Sequence, residues 1–248
     1  MRDNLNKVDA FLFTGNKIGL FLAFCHDYMI SLQKFTIVTA LLLGTVVAHA
    51  QYRDNEYSFL GVSGGVSMFD LITSDLVTKQ GTSFAGALSN RGAFFNAFDL
   101  IWEIGFVQSE IDILANSANG VGQEYVGYNI QSGQVKLLGS YNIILNHLSL
   151  EFGPVLNVNG KLNLDENNQE GLVLAGYNNM TTEQIEDITN VNFRLQGGLT
   201  AGLRHFRVTA QYQYGVTNML NNLNDNGLES DSLKGNSSTW ILMAVVYF

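Results

Sequence analysis

The chain has 248 residues, of which 46% are hydrophobic and 14% charged, whereas about a quarter of the residues are charged in an ordinary soluble domain. A formal net charge of −9 without basic clusters argues against nucleic acid as a partner, because that binding depends on Lys and Arg contacts to phosphates. No run reaches the roughly 18 consecutive apolar residues of a membrane-spanning helix, so the apolar residues are dispersed as they are in β-strands.

The first recognisable element is a secretory signal peptide in residues 29–50. Lys34 precedes an apolar core over 35–47, and Ala48 and Ala50 provide the small residues that flank a cleavage site. We expect cleavage after Ala50 and export of the remainder of the chain.

Residues 1–28 precede this signal peptide, although such a signal should begin the chain. We interpret them as mis-assigned upstream coding sequence, with Met29 as the true start. The mature chain, 51–248, would contain no cysteine and would carry nine basic and nineteen acidic residues. These features suit an exported protein of a Gram-negative envelope.

Alternation of apolar and polar residues with a period of two recurs eight times in the mature chain. The predicted strands are 57–68, 83–95, 100–113, 128–144, 148–159, 191–204, 206–218 and 238–248. Connections of one to four residues alternate with four long polar ones, at 69–82, 114–127, 160–190 and 219–237. Within the third of these, Thr181 and Gln184 predict a capping box for a short helix over 181–188.

Strict alternation of short and long connections is typical of a transmembrane barrel whose two chain ends lie in the periplasm. The predicted fold is therefore all-β: an eight-stranded antiparallel up-and-down transmembrane β-barrel. The short turns would face the periplasm and the long loops the cell exterior.

Each predicted strand has one apolar face and one polar face. Trp102, Ile104 and Phe106 share a side of the third strand, opposite Glu103 and Gly105. In water the apolar face would point inward, and in lipid it would point outward, so alternation alone does not choose. The signal peptide, the loop pattern and the apolar C-terminus favour lipid.

An interior of eight strands is just wide enough to be filled by side chains. Strand parity predicts that nine polar side chains point into it: Arg91, Glu103, Lys136, Glu151, Arg194, Gln196, Arg207, Gln211 and Gln213. Acids and bases there should pair, because an isolated buried charge is costly. We interpret this set as a structural plug, with a gated polar pathway as the alternative.

Three stretches resemble the PorT-like outer-membrane β-barrel family of Bacteroidota: LSLEFGPVLNV at 148–158, FRLQGGLTAGL at 193–203 and FRVTAQYQYGVTNML at 206–220. The resemblance implies an eight-stranded outer-membrane barrel. It also implies that the terminal strand, with Trp240, Tyr247 and Phe248, is the signal recognised by the outer-membrane insertion machinery. No residue here encodes the role in secretion that is associated with the founding member.

Candidate chemistry is sparse in the mature chain. Its two histidines, His147 and His205, lie in predicted short turns without a G-x-S-x-G motif, so we expect turn residues and no enzyme. The acidic loop over 225–231 lacks the ligand spacing of a calcium site. We expect no metal and no cofactor.

The leading hypothesis is a non-enzymatic barrel that contacts outer-membrane lipid and unidentified envelope proteins through its long loops or its periplasmic rim. The alternatives are a narrow small-solute channel through the lumen, a lipid-modifying barrel enzyme and a soluble exported barrel that binds an apolar ligand.

The last strand should close the barrel by pairing with the first, near 57–68, so that no strand edge is open in the hydrocarbon. Deletion of Phe248 should therefore lower assembly into the membrane more than it lowers synthesis. The measurement compares the heat-modifiable folded band with total protein on gels. A normal folded band in the deletion variant would contradict the prediction.

Overall fold

The computed structural model describes residues 57–118, 122–165 and 171–248. The predicted signal peptide, its cleavage site at Ala48 and Ala50, and the segment 1–28 lie outside the described residues. Eight antiparallel strands follow one another around a closed ring. They are β1 Ser58–Ile72, β2 Thr78–Phe95, β3 Phe98–Asn116, β4 Gln123–Ile144, β5 Leu148–Leu164, β6 Val191–Gly202, β7 Phe206–Gly215 and β8 Asn236–Tyr247. The predicted eight-stranded up-and-down barrel is confirmed.

The first five strands extend further toward the long loops than predicted. β3 and β4, for example, remain paired as far as Asn116 and Gln123. The predicted loops 69–82 and 114–127 are therefore wrong in length, and the connections are only 73–77 and 117–122. Backbone pairing continues where the outward side chains turn polar, at Glu110 for instance, so the apolar alternation stops before the strand does.

The second strand is irregular, as its mixed sequence suggests. Its pairing with β3 shifts register between Gln80 and Ala85 and again between Ala93 and Phe95. Such shifts are β-bulges, which bend a strand without ending it.

The barrel wall is taller on one side than on the other. β2 to β5 contain 17 to 22 residues each, whereas β6 to β8 contain 10 to 12. β6 and β7 also end earlier than predicted, at Gly202 and Gly215. The two longest loops, 165–190 and 216–235, lead into the short strands β6 and β8.

The helical segments in the described parts of the loops are short turns. The helix predicted over 181–188 is a single 3-10 turn at Glu183–Ile185, and a second turn lies at Asn221–Asp225. Half of the predicted capping box forms, because the Thr181 N–H donates to Gln184 Oε1 at 3.0 Å. Among the described residues, no helix has the length and apolarity needed to cross a bilayer.

The loop between β5 and β6 crosses the mouth of the barrel and adds a segment to the sheet. Leu174 forms a β-bridge with Ala115 near the end of β3. The Asn116 N–H donates to the Val173 carbonyl at 2.8 Å on the same edge. Because β2 begins at Thr78, it leaves the end of the β3 edge unpaired on the long-loop side, and the loop occupies that edge. We call residues 171–190 the lid.

The outer surface of the barrel is apolar. Trp102 is 49% exposed and the next residue, Glu103, is only 5% exposed, so the apolar face points outward. Aromatic side chains form a ring near the short turns and another ring eight to ten residues higher. They are Phe94, Phe98, Tyr141, Phe206 and Phe248 in the first ring, and Phe84, Phe106, Phe193, Tyr214 and Trp240 in the second. The outward direction of the apolar face contradicts the alternative of a soluble barrel.

The ring closes between the first strand and the last. Pairing runs from Gly61 with Tyr247 to Ile72 with Asn236. Phe248 extends the seam, since its N–H donates to the Leu60 carbonyl at 2.9 Å and its carbonyl accepts from the Leu60 N–H at 3.1 Å. The predicted pairing of the C-terminal strand with the first strand is confirmed.

Adjacent glycines in β1 offer a matched test of this seam. A Cβ at Gly65 would overlap the carbonyl oxygen of Leu242 in β8, whereas a Cβ at Gly64 would meet nothing within 4 Å. We expect Gly65→Ala to destabilise the barrel by about 1–3 kcal/mol through overpacking. Gly64→Ala should change stability by no more than about 0.5 kcal/mol. Urea unfolding of barrels refolded in lipid vesicles measures both, and equal effects would contradict the prediction.

Candidate functional site: the barrel lumen

All nine polar side chains predicted to face the interior lie inside the barrel. Each is at most 5% exposed: Arg91, Glu103, Lys136, Glu151, Arg194, Gln196, Arg207, Gln211 and Gln213. They occupy the half of the lumen nearer the short turns, where they form successive layers along the barrel axis.

The layer nearest the short turns is organised around Arg91. Its Nε lies 2.8 Å from Asp99 Oδ2, and its Nη1 lies 3.0 Å from Glu151 Oε1. Its Nη2 donates to the hydroxyls of Ser140 at 2.6 Å and Ser149 at 3.0 Å. These partners come from β3, β4 and β5, so one guanidinium joins strands that are not all neighbours of its own strand β2.

Asp99, the main partner of Arg91 in this layer, was not among the residues predicted from the sequence. Besides Arg91, it accepts hydrogen bonds from the Tyr57 hydroxyl at 2.5 Å and from Asn142 Nδ2 at 3.0 Å. The prediction placed Asp99 in the connection before the third strand, where parity assigns no direction. The signal that could have located it is its spacing: Asp99 lies two and four residues before Ile101 and Glu103, which point inward.

The second layer holds a separate ion pair. Lys136 Nζ lies 2.7 Å from Glu103 Oε1, on the neighbouring strand, and donates to Gln211 Oε1 at 3.2 Å across the barrel. Arg207 lies nearer the rim, where its Nε donates to the Leu203 carbonyl at 3.3 Å and its guanidinium faces the Tyr247 ring.

A third layer consists of amides around Arg194. Gln134 Nε2 donates to Asn157 Oδ1 at 2.9 Å and to Gln213 Oε1 at 3.1 Å. Gln213 Nε2 in turn donates to Gln134 Oε1 at 3.1 Å and to Gln196 Oε1 at 3.0 Å. Arg194 Nη1 contacts Gln213 Oε1 at 3.4 Å and the hydroxyl of Thr239 at 3.2 Å. We call these six residues the amide layer.

The half of the lumen nearer the long loops is apolar, and none of the nine polar side chains predicted to face the interior lies there. Strand residues at this level include Phe69, Ile111, Ile130 and Leu162. Loop residues pack on them from above: Leu172, Leu174, Met180, Ile185, Ile188, Met219, Leu220, Leu223 and Leu233. The long loops are therefore not simply solvated, because their apolar side chains close the mouth of the barrel.

One small cavity lies within this apolar half. Its volume is about 10 Å³. Apolar side chains line it: Phe69, Leu71, Leu76, Ile111, Ile113, Ile130, Leu162, Ile185, Ile188, Met219 and Leu220. A water needs about that much space and two to four polar partners. The apolar lining offers a water none of these partners.

Two acidic residues fasten the loops to one another. Glu229 accepts hydrogen bonds from the backbone N–H groups of Asn178 and Asn179 at 2.8 and 2.7 Å. Asp75 joins three loops, because its carbonyl accepts from the Tyr177 hydroxyl at 3.0 Å and its carboxylate from the Lys234 N–H at 2.7 Å. The lid is thus hydrogen-bonded both to the loop 73–77 and to the loop 216–235.

The two histidines of the predicted mature chain lie in short turns, as expected. The ring Nδ1 of His147 is 2.9 Å from the Gly202 carbonyl, and that of His205 is 3.0 Å from the Tyr247 carbonyl. Each histidine therefore ties its turn to a neighbouring strand. Over 57–118, 122–165 and 171–248, no three His, Cys, Asp or Glu side chains are grouped so that they could hold a metal ion.

Comparison with known proteins gives structural neighbours only. No protein-family model and no curated protein matches the chain. Neisserial surface protein A is 9% identical over 79% of this chain and 100% of its own, with a TM-score of 0.41. Ail of Yersinia pestis is 15% identical over 77% and 99%, with a TM-score of 0.40. The outer membrane protein OprG from Pseudomonas aeruginosa is 10% identical over 78% and 97%, with a TM-score of 0.44. At these TM-scores no functional property is carried over.

The ion pair between Lys136 and Glu103 allows a double-mutant test. Lys136→Met should destabilise the barrel by about 3–5 kcal/mol, because it leaves the Glu103 carboxylate buried without its cation. Combining it with Glu103→Gln should recover most of that loss. Urea unfolding in vesicles compares the two variants with the wild type, and a double variant as unstable as Lys136→Met alone would contradict this expectation.

The contact of Glu229 with the lid predicts a pH effect. Hydrogen bonds from the backbone of Asn179 and from Asn178 hold the pKa of Glu229 below its ordinary value. Because its folded pKa is lowered, this contact stabilises the loops above the unfolded pKa of about 4.3 and is lost as the pH falls through the folded value. The amide NMR signals of Asn178 and Asn179 in nanodiscs should move in that range. In Glu229→Gln, where nothing titrates at this position, the same movement would contradict the assignment.

Proposed function

We propose that the chain is an outer-membrane barrel of a Gram-negative envelope, belongs to the PorT-like family and is exported by the signal peptide at 29–50. The apolar outer surface supports this proposal. On β2, β3, β7 and β8, which contribute to both aromatic rings, it spans eight to ten residues, and this matches the roughly 9–11 residues of a transmembrane strand. Continuous apolar surface of this extent is not left in contact with water.

We further propose that the barrel is a closed, non-enzymatic scaffold with a structural or interaction role. The observation that carries this proposal is the filled lumen. A solute would have to separate the ion pairs of Arg91 and Lys136, cross the amide layer and then pass the apolar side chains under the lid. Separating buried ion pairs and displacing a close-packed core are both costly.

The loops provide the contact surface in this proposal. They are fastened by Asp75, Glu229 and the bridge between Leu174 and Ala115, so they present a preformed surface to a partner. That surface is acidic, because acids outnumber bases among the described residues on the long-loop side. The acids are Asp70, Asp75, Glu110, Asp112, Glu124, Asp165, Glu183, Glu186, Asp187, Asp225, Glu229 and Asp231, and the bases are Lys79, Lys161 and Lys234. An acidic surface favours envelope partners with basic patches.

Three measurements test these proposals. Recovery of the protein in the soluble fraction without detergent would overturn the membrane location.

Stepwise conductance of the purified barrel in planar bilayers would overturn the closed lumen and favour the channel.

In-cell crosslinking tests the interaction role. A photo-crosslinking residue replacing Asn226, which is exposed in the last long loop, should give discrete protein adducts. The same residue replacing Val135, which is 52% exposed on the apolar outer surface, serves as the matched control and should contact lipid. Absence of protein adducts from Asn226, and from a second position at Arg204 on the short-turn rim, would contradict an interaction role.

A further inference from the structure

Arg194 is the one lumen cation without acidic or aromatic contact among the described residues. Arg91 and Lys136 each have a carboxylate partner, and Arg207 faces an aromatic ring. Arg194 is 2% exposed and contacts only the neutral oxygens of Gln213 and Thr239. A guanidinium removed from water in this way needs a compensating charge, because the loss of hydration is several kcal/mol for an unpaired ion.

Hydrogen-bond donors exceed acceptors around Arg194. In the described part of the chain, neither Arg194 Nε nor Gln196 Nε2 has a hydrogen-bond partner. The acceptors nearby are already occupied, since Gln213 Oε1 accepts from both Arg194 and Gln134, and Gln196 Oε1 accepts from Gln213. The orientation of the Gln196 carboxamide is fixed by this last bond, because the opposite orientation would set two NH₂ groups against each other.

The charges of the whole lumen point the same way. The buried bases are Arg91, Lys136, Arg194 and Arg207, and the buried acids are Asp99, Glu103 and Glu151. The described lumen therefore carries one positive charge in excess. A bound water could satisfy the free donors beside Arg194, but it would leave this charge uncompensated.

We propose that the amide layer binds one small monatomic anion, chloride in the cell, between the Arg194 guanidinium and the Gln196 carboxamide. Both residues project into the lumen from β6. They are two residues apart in the chain and therefore neighbours on the inward face, at a spacing of roughly 7 Å. Both also contact the carboxamide of Gln213, Arg194 through Nη1 and Gln196 through Oε1.

The close packing of the layer selects the size of the anion. Arg194 Nε and Gln196 Nε2 are both fully buried, so the anion takes its space by a small displacement of the Gln196 side chain. A monatomic ion requires the least displacement, whereas a phosphate or sulfate would have to separate the strands. This anion site lies in the lumen and does not depend on which partner the loops contact.

Bromide is the probe for this site. Crystals of the wild-type barrel, refolded without chloride and grown in sodium bromide, should show an anomalous peak between Arg194 and Gln196. In solution, bromide or chloride should shift the thermal midpoint of the folded band upward relative to sodium gluconate at equal ionic strength.

The variants separate this site from general salt effects. Arg194→Met should lose the halide-specific shift, and Arg204→Met, at the exposed short-turn rim, should keep it. Arg194→Lys preserves the charge and provides a second variant should the methionine variant not fold. A shift that persists in Arg194→Met would overturn the proposal. An absence of lumen bromide in the wild-type crystal, or water or a protein side chain in its place, would overturn it as well.

Discussion

The structure depends on the hydrogen bonds that join β1 to β8. They are the backbone pairs from Gly61 with Tyr247 to Ile72 with Asn236, extended by Phe248 and Leu60. In hydrocarbon every backbone N–H and C=O must be satisfied within the protein, so a sheet with two free edges cannot persist there. Once the ring closes, each strand has one outward and one inward face. The division into an apolar exterior and a filled lumen follows from that single closure.

The lumen has two halves with different physical requirements. Near the short turns, charged and amide groups are buried and need partners, which Arg91, Lys136 and the amide layer provide across the barrel. Near the long loops, apolar side chains meet the lid, and close packing replaces pairing. The unequal wall explains why the lid is needed, because β6 to β8 are too short to screen the apolar side chains of the taller strands from water.

Period-two alternation predicted the strands and which side chains share a face, because side chains alternate between the two faces of a strand. The loop pattern, the signal peptide and the apolar C-terminus were needed to predict that the polar face, with its nine side chains, points into the lumen. Alternation could not predict the contacts of Arg91, since Asp99 and Glu151 approach it from other strands at distances that only the closed ring determines. It also missed the apolar half of the lumen. Phe69 and Leu71 belong to a stretch predicted as loop, and Met180 lies in a polar stretch whose occasional apolar residues have no period.

The acidic loop surface has a consequence for the distribution of the protein in a membrane. In the proposed outer-membrane location, copies of the barrel would all face the same way, since the short turns and long loops define a direction. Their acidic loops would then lie in one plane and repel one another over about the 8 Å Debye length of physiological salt. Lateral crowding would therefore be opposed at short range, and divalent cations, which screen such repulsion strongly, would set how densely the copies can gather.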